Sequence, residues 1–372
     1  MLKRSVVTAL LLAGTLAAFT AWRTQPVHGA STTPAPTWNR AVAASFLDQR
    51  ELWWQAWPRA QKDHGTVCLS CHTNVPYAMV RPILRRDLHA TTLTPAEQSM
   101  LASVEKRVTD WDEMEPFYSD AKNGAGKTVE AHNTEAVLNA IVLASFDTRL
   151  GHLRPVTVAA FDHAWTLQST TGELAGSWVW QNFHLGPWEG DESGYQHTAL
   201  LTLAVYEAPD SYAHRPEVQP HLAAMRTYLR AHYATQPRLN QLYVLWTSQY
   251  DAALLTTDER KTLLASLQQL QQPDGGWNTF ALDHHERIDD SPAPSASDGY
   301  ATAIAVLALE ATGPHHDSTL TRGLTWLTTH QQPNGAWLAE SINKHRNPDT
   351  DPALFMTDAA TAYAVLALDK AK

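Results

Sequence analysis

The sequence predicts an all-α fold in which about six helix pairs close into an α/α toroid. Three observations carry that expectation. Two segments near the C-terminus repeat each other, Gln271-Gln272-Pro273-Asp274-Gly275-Gly276-Trp277 and Gln331-Gln332-Pro333-Asn334-Gly335-Ala336-Trp337, and both fit Q-x-x-x-G-x-W. A fixed-period self-match is the mark of a repeat architecture. Second, Ala-rich stretches such as "YATAIAVLALEATG" and "AATAYAVLALDKAK" are apolar on nearly every face, so they belong inside. Third, the chain shows hardly any period-2 alternation, so strands are not expected.

The elements follow in order. Inner helices align on a Thr with Leu-Ala five residues on, which gives Thr198, Thr302 and Thr361. Thr134, Thr73 and Asn240 are looser members, and the six positions lie 61, 64, 42, 62 and 59 residues apart. Between them run amphipathic segments such as "TPAEQSMLASVEKRV" and "PEVQPHLAAMRTYLRAHY", suited to an outer layer. Each Q-x-x-x-G-x-W follows such a segment and precedes an inner helix by about 20–25 residues. A degenerate third copy is expected around Gly176-Ser177-Trp178 or Gly186-Pro187-Trp188.

Ahead of the ring, Met1-Leu2-Lys3-Arg4 and a mostly apolar run to Ala21 read as an export signal. The expected division is 1–30 signal peptide or uncleaved N-terminal anchor, 31–40 linker, and 41–372 toroid. Cleavage after Ala21 and after Ala30 both fit, and residues 22–37 are rich in Pro, Thr and Ala. The protein is expected to be periplasmic or otherwise exported, with membrane contact only through that N-terminal segment. The 372 residues are 44% hydrophobic and include 14 Trp, enough for a large core. A net charge of −10 argues against a nucleic-acid partner, because no basic stripe is available to neutralise phosphates.

These repeats resemble the QW motifs of the squalene-hopene cyclase and prenyltransferase superfamily. The resemblance implies an α/α toroid of the terpenoid cyclase/prenyltransferase type and is clear over roughly residues 160–372. It does not carry the activity over. The cyclase acid motif D-x-D-D-T-A finds only Asp298 before Thr302 and Asp358 before Thr361, and both are expected to be helix N-caps. Asp289-Asp290 lacks the D-D-x-x-D context that magnesium and diphosphate need. A prenyltransferase-type zinc site would need a Cys outside residues 68–71, and there is none.

The only two cysteines stand in Val67-Cys68-Leu69-Ser70-Cys71-His72-Thr73. C-x-x-C-H resembles the haem-attachment motif of c-type cytochromes. That resemblance implies haem c bonded to Cys68 and Cys71, with His72 on the iron. Competing readings are a disulfide, a zinc site with one more ligand pair, and coincidence. In the repeat register His72 starts the first inner helix, which would set the haem at the mouth of the central cavity. Met356, just ahead of the sixth inner helix, is the expected second iron ligand, since a thioether suits iron. His197 and His132, on the same rim, are its rivals; Met79 is expected to point away, and Met114 stays open. Arg81, Arg85 and Arg86 are weighed as propionate partners against a solvated face. The pairs His284-His285 and His315-His316 are expected in solvent, and the loop 343–352 over the cavity mouth.

Three functions compete on these grounds. One is a monohaem electron carrier for a periplasmic redox partner. Another is a haem oxidoreductase acting on an apolar, terpenoid-like small molecule in the ring cavity. The last is a haem-free binding protein on a degenerate cyclase fold.

Overall fold

The computed structural model describes residues 38–283, 285–313 and 318–371. The expected export signal, most of the linker, and His284, His315 and His316 lie outside the described residues. Among the described residues there are fourteen α-helices: α1 (Arg40–Ala56), α2 (Asn74–Asp87), α3 (Pro95–Thr109), the short α4 (Asp120–Asn123), α5 (Lys127–Leu150), α6 (Pro155–Leu167), α7 (Ser193–Glu207), α8 (Gln219–His232), α9 (Arg238–Thr247), α10 (Thr257–Leu270), the short α11 (Thr279–Asp283), α12 (Gly299–Glu310), α13 (Ser318–Thr329) and α14 (Phe355–Lys370). Among the described residues β-structure is limited to isolated bridges, and no helix is long and apolar enough to cross a membrane.

Six helices form the inner wall. Helix α2 packs on α5, α5 on α7, α7 on α9, α9 on α12, α12 on α14, and α14 back on α2. The circuit is closed, so the fold is an all-α toroid. Their sequences explain the placement. Every residue of α12 from Gly299 to Leu309 is buried, as is every residue of α14 from Met356 to Leu368. The outer helices α1, α3, α6, α8, α10 and α13 bury one stripe each. Helices α3 and α10 begin with capping boxes, Thr94 with Glu97 and Thr256 with Glu259.

Each Q…G-x-W loop ties an outer helix to its neighbours. Trp277 Nε1 donates to the Leu267 carbonyl (2.9 Å) and Trp337 Nε1 to that of Leu327 (2.7 Å). Their backbone N–H groups donate to Thr302 and Thr361 Oγ1, each at 3.0 Å, so the aligned threonines receive the loop. The third copy is the Gly176-Ser177-Trp178 one: Trp178 Nε1 donates to Ala164 O (2.7 Å), and Gln168 reaches Gly176 O across a longer loop. The glutamines also reach the next outer helix. Gln271 Nε2 donates to Thr319 O (2.8 Å), at the start of α13.

Gln331 performs the same task across the ring closure. Its Nε2 donates to Asn39 O (3.0 Å) and its Oε1 accepts from Asn39 N (2.6 Å), at the cap of α1. Trp38 packs edge-on against Trp337 at 6.0 Å, so the ring begins three residues before the expected boundary. Gly335 has φ +95, and a Cβ there would lie 2.4 Å from the Val42 carbonyl oxygen. Only glycine allows the last loop to approach α1 this closely.

Candidate functional site

The motif 68–72 sits in the loop between α1 and α2, and local hydrogen bonds fix its shape. Ser70 Oγ accepts from the backbone N–H of Thr73 (3.1 Å) and of Asn74 (3.2 Å), so it caps the first turn of α2. Asn74 Oδ1 accepts from Ser70 N (2.7 Å), and Asn74 Nδ2 donates to the buried Glu51 (2.8 Å). On the other side Cys68 N donates to Ala60 O (2.8 Å), and Trp54 Nε1 donates to Cys68 O (2.7 Å). The cysteine spacing therefore rests on a capped turn, and both sulfurs are free.

Both thiols and His72 line one cavity on the rim of the ring, and Met356 lines it too. The cavity has about 890 Å3 of space free of protein atoms, its open mouth included. Its walls include Trp54, Phe117, Leu138, Trp188 and Phe355, which make it largely apolar. Asn343, Arg346 and Pro352 show that the loop 343–352 does reach this mouth. On the inner side Trp188 meets Tyr300 edge-on at 5.7 Å. Behind it Tyr243 and Tyr300 join hydroxyls at 2.9 Å, and both rings pack on Tyr363. The cavity is thus a rim pocket with aromatic side chains behind it, not the mouth of an open central channel.

Burial sets the chemistry of the lining. It pushes the Cys68 thiol up to about 12 and Cys71 well above its ordinary value, so both remain S–H at neutral pH. Burial, reinforced by the Arg50 and Arg346 cations, pulls His72 down to about 3, so its imidazole is neutral. Neutral imidazole is the form that binds a metal. Its ring lies against Phe355 (3.9 Å, 20°) and meets Trp54 edge-on at 5.0 Å. Glu189, in the same cavity, is pushed up to about 7 by burial.

The expected site residues separate in space. Met356 shares the cavity with His72, whereas His197 and His132 are outside its lining. His197 is buried, with Nδ1 2.8 Å from Ser193 O and its ring stacked on Trp180 at 4.2 Å. His132 packs edge-on against Trp111 at 4.4 Å. Met79 lines a small pocket with Trp246 and Leu366, and the buried Met114 is likewise outside the rim cavity. The expected arginine partners are committed elsewhere: Arg81 to Asp48 (2.8 Å), Arg85 to Glu97, and Arg86 to Asp87 and Asp369. The cation that does line the cavity is Arg346. His285 is partly buried rather than solvated, and its Nε2 has no partner among the described residues.

Asp298 caps α12, accepting from Ala301 N (2.9 Å). Asp358 does not cap α14, because a 3-10 turn at Asp351–Leu354 starts that helix earlier, at Phe355. Asp358 is instead buried in the first turn and paired with Arg50 at 2.7 Å.

The donor set fits a haem group and fits zinc poorly. Two thiols, a neutral imidazole and a soft thioether line one apolar cavity. Three lining side chains also keep buried polar atoms without partners among the described residues: Trp188 Nε1, Gln181 Oε1 and Asn343 Oδ1. Such atoms can be met by water or by a bound group. A structural zinc site needs four ligands, yet among the described residues no three His, Cys, Asp or Glu side chains are grouped to hold a metal.

No curated protein matches this chain. Residues 237–371, from the start of α9 to the end of α14, match the family model of the squalene-hopene cyclase C-terminal domain. Together with the closed ring of inner helices, that match makes the fold an α/α toroid of the terpenoid cyclase type.

Proposed function

We propose that the rim cavity holds one haem c, attached through Cys68 and Cys71 and ligated by His72 and Met356, and that the protein carries single electrons to a periplasmic redox partner. The observation that carries this reading is the convergence of both thiols, His72 and Met356 on one apolar cavity. Iron bound there supplies a one-electron couple, and a thioether ligand raises its potential. The chain's own residues do the rest. Phe117, Leu138 and Trp188 exclude water, which sharpens the electrostatics around the bound group. Trp54 meets His72, and Trp57 and Trp53 continue from it at 5.4 and 6.3 Å to partly exposed positions. They supply an aromatic route from the ligand to the surface. Residues 1–30 support export, which covalent haem attachment requires.

One observation favours a second reading, a haem oxidoreductase acting on an apolar small molecule. Glu189 places a carboxyl near neutrality in the same cavity, where it can hold or release a proton. Such a ligand would share the rim cavity, because the aromatic side chains behind Trp188 fill that part of the interior.

Expression alongside a c-type maturation system tests both. The expected product is red, retains one haem after denaturation, shows a pyridine haemochrome spectrum, and gains one haem in intact mass. A colourless product would end the haem reading. Met356→Ala is expected to turn a six-coordinate low-spin spectrum high-spin, and His197→Ala to leave it unchanged. A wild-type protein that is already five-coordinate would favour the oxidoreductase.

A further inference from the structure

His72 is joined to the last repeat through a line of buried side chains. Its Nδ1 lies 2.8 Å from Thr73 Oγ1, and that hydroxyl donates to Asp358 Oδ2 at 2.8 Å. Asp358 receives the Arg50 guanidinium through Nε (2.7 Å) and Nη2 (3.2 Å), and Arg50 Nη1 donates to Asp351 (2.7 Å). Thr73, Asp358 and Arg50 are each at most 5% exposed.

With Asp358 ionised, the proton count on this line has one solution. A hydroxyl carries a single hydrogen, and a carboxylate held by a guanidinium fork is acceptor-only. Thr73 spends its hydrogen on Asp358 and turns a lone pair to His72. The imidazole must then supply the hydrogen between Nδ1 and Oγ1. That leaves Nε2 with a bare lone pair, the tautomer a metal ligand needs. Phe355, stacked on the ring at 3.9 Å, limits its rotation.

We propose that Thr73, Asp358 and Arg50 form a positioning relay that fixes His72 in the Nδ1–H tautomer and presents its Nε2 lone pair to the cavity. The three residues come from the start of α2, the first turn of α14 and from α1. The relay therefore stands on the ring-closure seam, and the last repeat orients the ligand supplied by the first. Its purpose rests on the haem reading, but its physical content, one tautomer, does not.

The test uses the full chain made without haem loading, with 15N-labelled histidine. Two-bond 15N–1H correlation spectra at pH 7 report the tautomer, and His72→Gln assigns the signal. The wild type is expected to show Nδ1–H at His72 with Nε2 bare. Thr73→Val is expected to shift the tautomer ratio at least tenfold toward Nε2–H, and Thr73→Ser to restore it. Asp358→Asn frees the hydroxyl to donate to Nδ1, so it should shift the ratio the same way. A wild type in the Nε2–H form, or a folded Thr73→Val with an unchanged ratio, would overturn the relay, and the wild-type spectrum decides even if no variant folds. A colourless matured protein with the expected tautomer would defeat the haem reading alone. A haem-bearing protein whose metal-free form shows Nε2–H would defeat the relay alone.

Discussion

The loops of the fifth and sixth repeats and the loop of the first make the same tie with opposite donors. In the later repeats the loop tryptophan reaches back, with Trp277 and Trp337 donating to Leu267 O and Leu327 O of their outer helices. In the first repeat the outer helix reaches forward, with Trp54 donating to Cys68 O. Moving the indole from loop to helix preserves the outer-to-inner connection and releases the loop from carrying a tryptophan. The loop of the first repeat carries Cys68, Cys71 and His72 instead. The match to the squalene-hopene cyclase C-terminal domain covers residues 237–371, which hold both intact signatures, and leaves out the first three repeats, the cysteine-bearing one among them. Scaffold and site have been divided between repeats of a common plan.

Breaking the tie on the scaffold side should cost most. Trp337 is completely buried, so Trp337→Ala is expected to destabilise the protein by about 3–5 kcal/mol, read from the urea midpoint. Trp54→Phe keeps most of the ring and removes only the donor to Cys68 O. Leaving that carbonyl unpaired should cost about 1–3 kcal/mol, and, on the haem reading proposed above, haem yield should fall with it. Equal costs for the two would mean that the ties are not equivalent in kind.

Gln331→Ala and Gln271→Ala sharpen the contrast between an ordinary seam and the closing one. Each should lose about 1 kcal/mol. Only Gln331→Ala is expected to speed amide hydrogen exchange in α1, because only that glutamine holds Asn39. Uniform loss of protection in both variants would show that closure is not a separate joint.

The smallest effect is a pH-dependent one in the scaffold. Glu310 ends α12 with both carboxyl oxygens buried and unpartnered among the described residues, and burial pushes it up to about 8. Its folded value lies above the ordinary 4.5, so its contribution is fully present below pH 4.5 and fades as pH rises through 8. Glu310→Gln should match the wild type near pH 4.5 and melt about 2 °C higher at pH 9. A gain of the same size at acid pH would assign the effect to something other than this carboxyl.

The ring was legible because burial imposes a period. The threonine register that aligned Thr302 with Thr361 is the register in which each hydroxyl receives a loop N–H. The same register placed His197 and His132 on the rim with His72 but said nothing of rotation about the helix axis. Both rings turn to pack against tryptophans, Trp180 and Trp111. Asp358 read as a cap because the extra turn at Asp351–Leu354 has no sequence mark stronger than Pro352. Asn343 and Arg346 belong to the loop expected over the mouth, but which of its side chains enter the cavity is set by tertiary contacts, and nothing local announced Glu189. Arg81, Arg85 and Arg86 looked available because three of their acidic partners, Asp48, Glu97 and Asp369, lie on other helices.

Closure by the last repeat also imposes an order in time. The walls that shield Cys68 and Cys71 include Asn343, Arg346, Phe355 and Met356, all from the last repeat of the ring. With α14 in place, each thiol is less than 9% exposed. On the haem reading proposed above, covalent attachment would have to come before those walls are in place.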